Sequence, residues 1–192
     1  MNPLPKRVAV CIGHSRKGDS GALNTDGVTE RAFNRQVGKE LCAALQRKGL
    51  FVTLFDDYPV NGYSAAMSWV GAQCKLVKAD VAIELHFNSA GPFAKGHEWL
   101  YWHRSVKGKQ LAESFDRSFR KHFPAAVARG AKPCGLDNRG SLFLRLTPCP
   151  SVILEPFFGS SKEETAFYTA NRSKLVEAYA DALVAALGRQ QS

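Results

Sequence analysis

Val8-Ala9-Val10-Cys11-Ile12-Gly13-His14 and Asp80-Val81-Ala82-Ile83-Glu84-Leu85-His86 decide how this chain is read. Each is a short apolar run, rich in β-branched residues and bounded by small or polar ones, which predicts a strand buried on both faces. Each run also stops at an imidazole. In sheets built from such strands, ligands and catalytic groups sit just beyond the carboxyl ends. Two histidines delivered to that edge, with glutamates close by, are the material of a zinc site.

Working outward, a Gly-rich loop (residues 16–22) follows His14, and a helix is expected from Thr25 or Asp26, either of which can cap it. Phe33, Val37, Leu41 and Leu45 recur every four residues and give that helix a buried stripe, and Gly49 ends it. A short strand is expected over residues 50–55 and a second helix over 64–78, with Ala66, Val70, Cys74 and Val77 inward. Beyond His86, residues 96–103 read as an aromatic edge strand and 107–122 as a helix. Residues 124–140, with their Gly and Pro, read as a surface loop. Two further strands are expected at 141–146 and 151–155, then one long helix over 163–187 with Leu175, Tyr179, Leu183 and Leu187 in register. Strands alternating with helices predict an α/β fold: a mostly parallel, twisted sheet with helices on both faces.

At 192 residues and 45% hydrophobic, the chain is sized for one domain, residues 1–192, around one core. No linker, internal repeat or low-complexity segment divides it. The last helical stretch carries Lys, Glu and Asp throughout, so no membrane-spanning segment is expected. Met1-Asn2-Pro3-Leu4-Pro5-Lys6-Arg7 contains no apolar signal core, which leads to the expectation of cytoplasmic synthesis without a signal peptide. The net charge of +9 favours polyanions: nucleic acid, anionic lipid or anionic cell wall. The basic residues are scattered and accompany no nucleic-acid-reading motif, so no nucleic acid partner is expected. The five cysteines form no C-x-x-C pair. Cys11, Cys42 and Cys74 fall in expected buried elements, where thiols act as small apolar groups. Cys134 and Cys149 are readable as a disulfide, although cytoplasmic synthesis favours free thiols.

His14, His86 and Glu155 emerge at one sheet edge if their strands are parallel, and Glu30 lies about one turn into a helix that starts there. A catalytic zinc takes three protein ligands and keeps a position open; two His and one Glu are one such set. A second carboxylate then serves as general base. Each residue also has a plainer reading. A strand-end histidine is often a hydrogen-bonded loop residue, and Glu30 alone is a first-turn acid favoured by the helix dipole. Glu155 is harder to place otherwise: between Val152-Ile153-Leu154 and Pro156-Phe157-Phe158, its charge needs a cation or hydrogen bonds. His97 and His103 flank an aromatic run, Trp99 to Trp102, and are expected as surface or edge-strand residues. That run either packs under a helix or faces a sugar or peptide. Asn88 and Ser89 read as substrate contacts or as a turn, and Asp19 as the partner of a ligand imidazole or as a loop acid.

Several blocks, in this order, resemble the zinc-dependent N-acetylmuramoyl-L-alanine amidases of the Amidase_3 type. They are Ile12-Gly13-His14-Ser15, Asp19-Ser20-Gly21-Ala22, Glu30 with Asn34, residues 79–89, Gly96 with Glu98, and residues 150–158. The resemblance runs from about Val8 to about Glu164. It implies one Zn2+ on His14, Glu30 and His86, and Glu155 as the catalytic carboxylate. The implied reaction is hydrolysis of the amide between N-acetylmuramic acid and L-alanine in bacterial peptidoglycan. Ser15 stands where the family often has a second glycine, and Asp56-Asp57 where it often has an arginine. The family's wall-binding repeats have no counterpart here, so a bare catalytic domain is expected. Together with the N-terminal reading, this suggests a phage or prophage endolysin. Two other functions remain open on the residues: a zinc peptidase acting on free peptides, and a cell-wall-binding module without turnover.

Overall fold

In the computed structural model, which describes residues 6–188, the two histidine-terminated runs are adjacent parallel strands. β1 (Arg7–Ile12) pairs with β2 (Phe51–Phe55) on one side and with β3 (Val81–Leu85) on the other. β6 (Ser151–Glu155) runs parallel to β3. The sheet then turns mixed: β4 (His97–Trp102) is antiparallel to β6, and β5 (Ala128–Cys134) is parallel to β4. The order is β2-β1-β3-β6-β4-β5. Because the chain leaves β1 toward β2 and returns to its other side as β3, the switch point of the sheet lies between the strands that carry His14 and His86. Ligands collect at such a point.

Helices cover both faces. α1 (Glu30–Arg47), α3 (Val106–His122) and α6 (Arg172–Gly188) pack together on one, and α2 (Tyr63–Leu76) and α4 (Ser141–Leu146) on the other. α5 (Lys162–Ala170) precedes α6. The expected stripe of α1 is buried over β1 and β2, with Phe33, Val37, Leu41 and Leu45 in one core. α2 sends Ala66, Met67, Val70 and Cys74 into a second, smaller core on the opposite face. Trp99 is fully buried between Phe115, Phe119 and Tyr179; truncating such a side chain costs about 3–5 kcal/mol. Packing is therefore what the aromatic run does at this position. No helix of the described residues is long and apolar enough to cross a membrane. Residues 1–5, on which most of the leader reading rests, lie outside the described residues.

Six expectations are corrected. Residues 96–103 do not form the edge: β5 lies outside β4, within the stretch read as a loop. Pro133 hid that strand, and an edge tolerates a proline because one side of its backbone needs no partner. Residues 141–146 are helix α4, not a strand. Six apolar-rich residues cannot be assigned by periodicity, and here Phe143 and Leu144 pack into the smaller core beside α2. The last helix is two: Asn171 caps α5, its Nδ2 donating to the Phe167 carbonyl at 2.8 Å. α1 begins at Glu30, not at Thr25 or Asp26. Asn24 draws the earlier residues into a turn by accepting from Asp26 N and Val28 N, and Thr29 becomes the cap, accepting from Ala32 N at 3.2 Å. His97 is fully buried. Its ring packs against Phe119 with centroids 4.5 Å apart, and burial pushes its pKa down. His103 is exposed, and all five cysteines are free thiols, Cys42 only half-buried.

Candidate active site

β1 ends at Ile12, and the next two residues set the site. Gly13 donates to the Leu85 carbonyl at 3.0 Å, extending the β1–β3 pairing by one step. A Cβ at Gly13 would overlap the His86 imidazole, so the ring lies directly on a bare backbone. His14 turns out of the strand with φ 59°, a left-handed conformation that non-glycine residues adopt at a cost. Its Nδ1 lies 3.0 Å from both oxygens of Asp19, and its Nε2 is 3.3 Å from Oε2 of Glu30. Gly21, at φ 71°, lets the loop pass against Glu30 and His14 where a Cβ would crowd both.

Glu30 is the first residue of α1 and almost wholly buried. Its Oε1 lies 2.8 Å from Nδ1 of His86 and accepts from Phe87 N at 3.1 Å, while Oε2 accepts from Ala22 N at 3.3 Å. One carboxylate thus faces both imidazoles. Burial opposes its charge, yet the two rings hold the Glu30 carboxyl well below the usual carboxylate range. His86, directly after β3, is flanked on its other nitrogen: Nε2 lies 3.2 Å from Oε2 of Glu84. Burial works against an imidazolium there, but the Glu84 and Glu30 carboxylates raise its pKa well above the ordinary value. Burial also opposes the charge of His14, and Glu30 outweighs it.

Glu155 ends β6 on the same edge. Its Oε2 is buried without a hydrogen-bond partner. Its pKa is raised to about 8, chiefly by burial; the nearby His86 pulls it down, and the Glu30 and Glu98 carboxylates push it up. Asn88 lies two residues past His86. Its Nδ2 donates to Oε1 of Glu98 at 2.8 Å and its Oδ1 accepts from Ser89 N at 2.9 Å, so it serves both the turn and the wall of the site. Glu98 in turn takes Arg129 Nε and Lys132 Nζ, each at 2.6 Å. His14, Asp19, Glu30, Glu84, His86, Asn88, Glu98 and Glu155 line one cleft of about 740 Å³, which also reaches Tyr63, Met67, Arg139 and Ile153.

The donor atoms of His14, Glu30 and His86 all lie within 4.8 Å of one another. The chemistry of the set fits a divalent cation. The outer nitrogen of each imidazole is held by a carboxylate, which leaves the inner nitrogen to act as donor. Glu30 and Glu84 are buried beside the two rings, and Glu155 is left with an orphaned oxygen. The four residues expected at the site are therefore brought together, and Asp19 partners His14 as one of its two readings had it. Glu84 was missed. Its signal was a single charged residue inside an otherwise apolar five-residue strand.

An α/β sheet with two imidazoles and buried carboxylates around a cleft at its switch point defines a metal-hydrolase type of site. The chain matches the family Amidase_3, N-acetylmuramoyl-L-alanine amidase, over residues 8–185, and it belongs to that family. Among solved structures, it is similar to the N-acetylmuramoyl-L-alanine amidase AmiC2 of Nostoc punctiforme, at 22% identity and a TM-score of 0.80, over 95% of this chain and 97% of that one. The catalytic domain of CwlV, an N-acetylmuramoyl-L-alanine amidase from Bacillus (Paenibacillus) polymyxa var. colistinus, shows 23% identity, a TM-score of 0.79, and coverage of 95% and 98%. The catalytic domain of the CD27L endolysin, which targets Clostridia Difficile, shows 20% identity, a TM-score of 0.80, and coverage of 93% and 97%. At these identities the structures bear on the fold. No curated protein matches the chain.

Proposed function

We propose that the protein hydrolyses the amide between the lactyl group of N-acetylmuramic acid and L-alanine in peptidoglycan, with one zinc ion held by His14, Glu30 and His86. The observation that carries the reading is the shared carboxylate of Glu30, with Nδ1 of His86 at 2.8 Å from one oxygen and Nε2 of His14 at 3.3 Å from the other. Zinc bound there supplies Lewis acidity, lowering the pKa of water and polarising a carbonyl.

The remaining work falls to the chain. Asp19 fixes His14 by its outer nitrogen, and Gly13 seats the His86 ring. Glu155 is the proton carrier. Its buried oxygen, without a hydrogen-bond partner at the end of β6, suits a group that takes a proton from attacking water and returns it to the leaving amine. Asn88, held in place by Glu98, presents the turn along which the stem peptide lies. A lysin role belongs to the same proposal. In that role the protein reaches the wall only after the membrane is breached, so an expressing culture lyses only when chloroform is added.

A soluble muramyl tripeptide and the same tripeptide without muramic acid form the test. Cleavage of the first alone supports the amidase; equal cleavage of both would favour a zinc peptidase acting on free peptides. Tight wall binding without cleavage of either would favour the binding module.

A further inference from the structure

We infer that Glu84 is a positioning residue that fixes the tautomer and orientation of His86, so that its Nδ1 is presented as a metal donor. The inference rests on the metal reading of His14, Glu30 and His86.

Glu84 occupies the middle of the sheet, on β3 beside Cys11 of β1 and Ile153 of β6. It is 4% exposed. A carboxylate in such a place is costly unless it is paired. Its surroundings offer little: Cys11, Cys74 and Tyr58 are buried nearby, and none of them bonds to it. Among the described residues its partner is Nε2 of His86 at 3.2 Å. Both ring nitrogens face a carboxylate, Nδ1 that of Glu30 at 2.8 Å and Nε2 that of Glu84 at 3.2 Å. A cation held together with Glu30 would take the place of a proton on Nδ1 and leave the Nε2 proton directed at Glu84, since a carboxylate only accepts. A neutral imidazole with its proton on Nε2 has its lone pair on Nδ1, the nitrogen turned toward Glu30. Gly13, on which the ring lies, blocks movement on one side. Ring, tautomer and donor direction are thereby set by one buried charge. Asp19 does the same for His14 from the opposite nitrogen: there Nδ1 is held and Nε2 is presented. The two ligands thus use different ring nitrogens, each dictated by its own carboxylate.

The test has two parts, neither of which reads turnover. The first is the ¹⁵N chemical shifts of the His86 imidazole in the zinc-loaded wild-type protein. Glu84 acting as inferred gives protonated Nε2 and zinc-bound Nδ1; the reverse assignment overturns the inference without any variant being made. The second is zinc affinity by chelator competition, with the cobalt absorption spectrum, for wild type, Glu84→Gln and Glu84→Ala. Loss of partners of this kind typically weakens metal binding by about 10–100-fold. The larger loss is expected for Glu84→Ala and the smaller for Glu84→Gln, which keeps an acceptor, with an altered cobalt spectrum in both. Wild-type affinity and an unchanged spectrum in the near-isosteric Glu84→Gln and in Glu84→Ala would overturn the inference. Failure of the wild type to take up zinc or cobalt would instead overturn the metal reading on which it stands.

Discussion

Glu30 and His86 are 56 residues apart in sequence and 2.8 Å apart in space, a contact between the first residue of a helix and the residue just beyond a central strand. The sheet makes it possible. β1 delivers His14 to the edge, the following loop folds back through Ala22 to place Glu30, and β3 brings His86 up beside both. The site is therefore a property of strand order, with β1 and β3 adjacent and the chain diverging from between them.

His86→Ala and Glu155→Gln should separate holding the metal from using it. The first removes a donor, and zinc content and turnover are expected to fall together. The second leaves all three donors in place, so zinc should be retained while turnover falls on the order of 10²–10⁴-fold. Zinc by atomic absorption, alongside initial rates, checks both. Full activity in Glu155→Gln would remove Glu155 from the chemistry.

Gly13→Ala should act on the site through packing alone. The new methyl group would overlap the His86 ring, and overpacking of this kind typically costs about 1–3 kcal/mol. Displacement of the ring is expected to lower zinc affinity on the order of tenfold or more. Chelator competition and thermal melting measure the two effects. Unchanged affinity would show that the ring needs no support from below.

The pH dependence of stability in the zinc-free protein should carry the mark of Glu155. Its pKa is raised from 4.5 to about 8, chiefly by burial. A raised folded-state pKa means that the stabilising contribution is whole below the unfolded value and is lost as pH rises through the folded one. Wild type should therefore lose stability relative to Glu155→Gln between about pH 4.5 and pH 8, and the gap should then level off. Melting temperatures of the two proteins across pH 4 to 9 test it. A gap that stays constant with pH would mean that Glu155 titrates normally.

Salt should affect action on the wall more than action on a small soluble substrate. A net charge of +9 favours approach to anionic wall material, and the screening length falls from about 10 Å to about 3 Å between 0.1 and 1 M salt. Parallel salt titrations on whole wall and on a muramyl peptide check this. Identical salt curves would rule out a charge-driven approach.

His14, His86 and Glu155 were legible because each ends an apolar run, and the carboxyl ends of parallel strands are where such sheets gather reactive groups. Glu30 was legible as a residue, but its position was not: the Asn24 turn and the Thr29 cap moved the helix start five residues from Thr25. Glu84 stayed hidden because a lone charge in a strand shows no period, and its meaning appears only when the His86 ring is set against it. β5 and α4 were misread for related reasons. An edge strand can hold a proline, and six apolar-rich residues pack as well in a helix as in a strand. The burial of His97 depended on β5 lying outside β4, a pairing that local sequence does not encode.

The most direct measurement is digestion of purified peptidoglycan by the zinc-loaded protein, with the masses and termini of the released fragments determined. Stem peptides bearing a free L-alanine amine, released from intact glycan strands, are the expected result. Fragments cut within the peptide, or cleaved glycan, or no release at all from a wall to which the protein stays bound, would contradict the amidase reading.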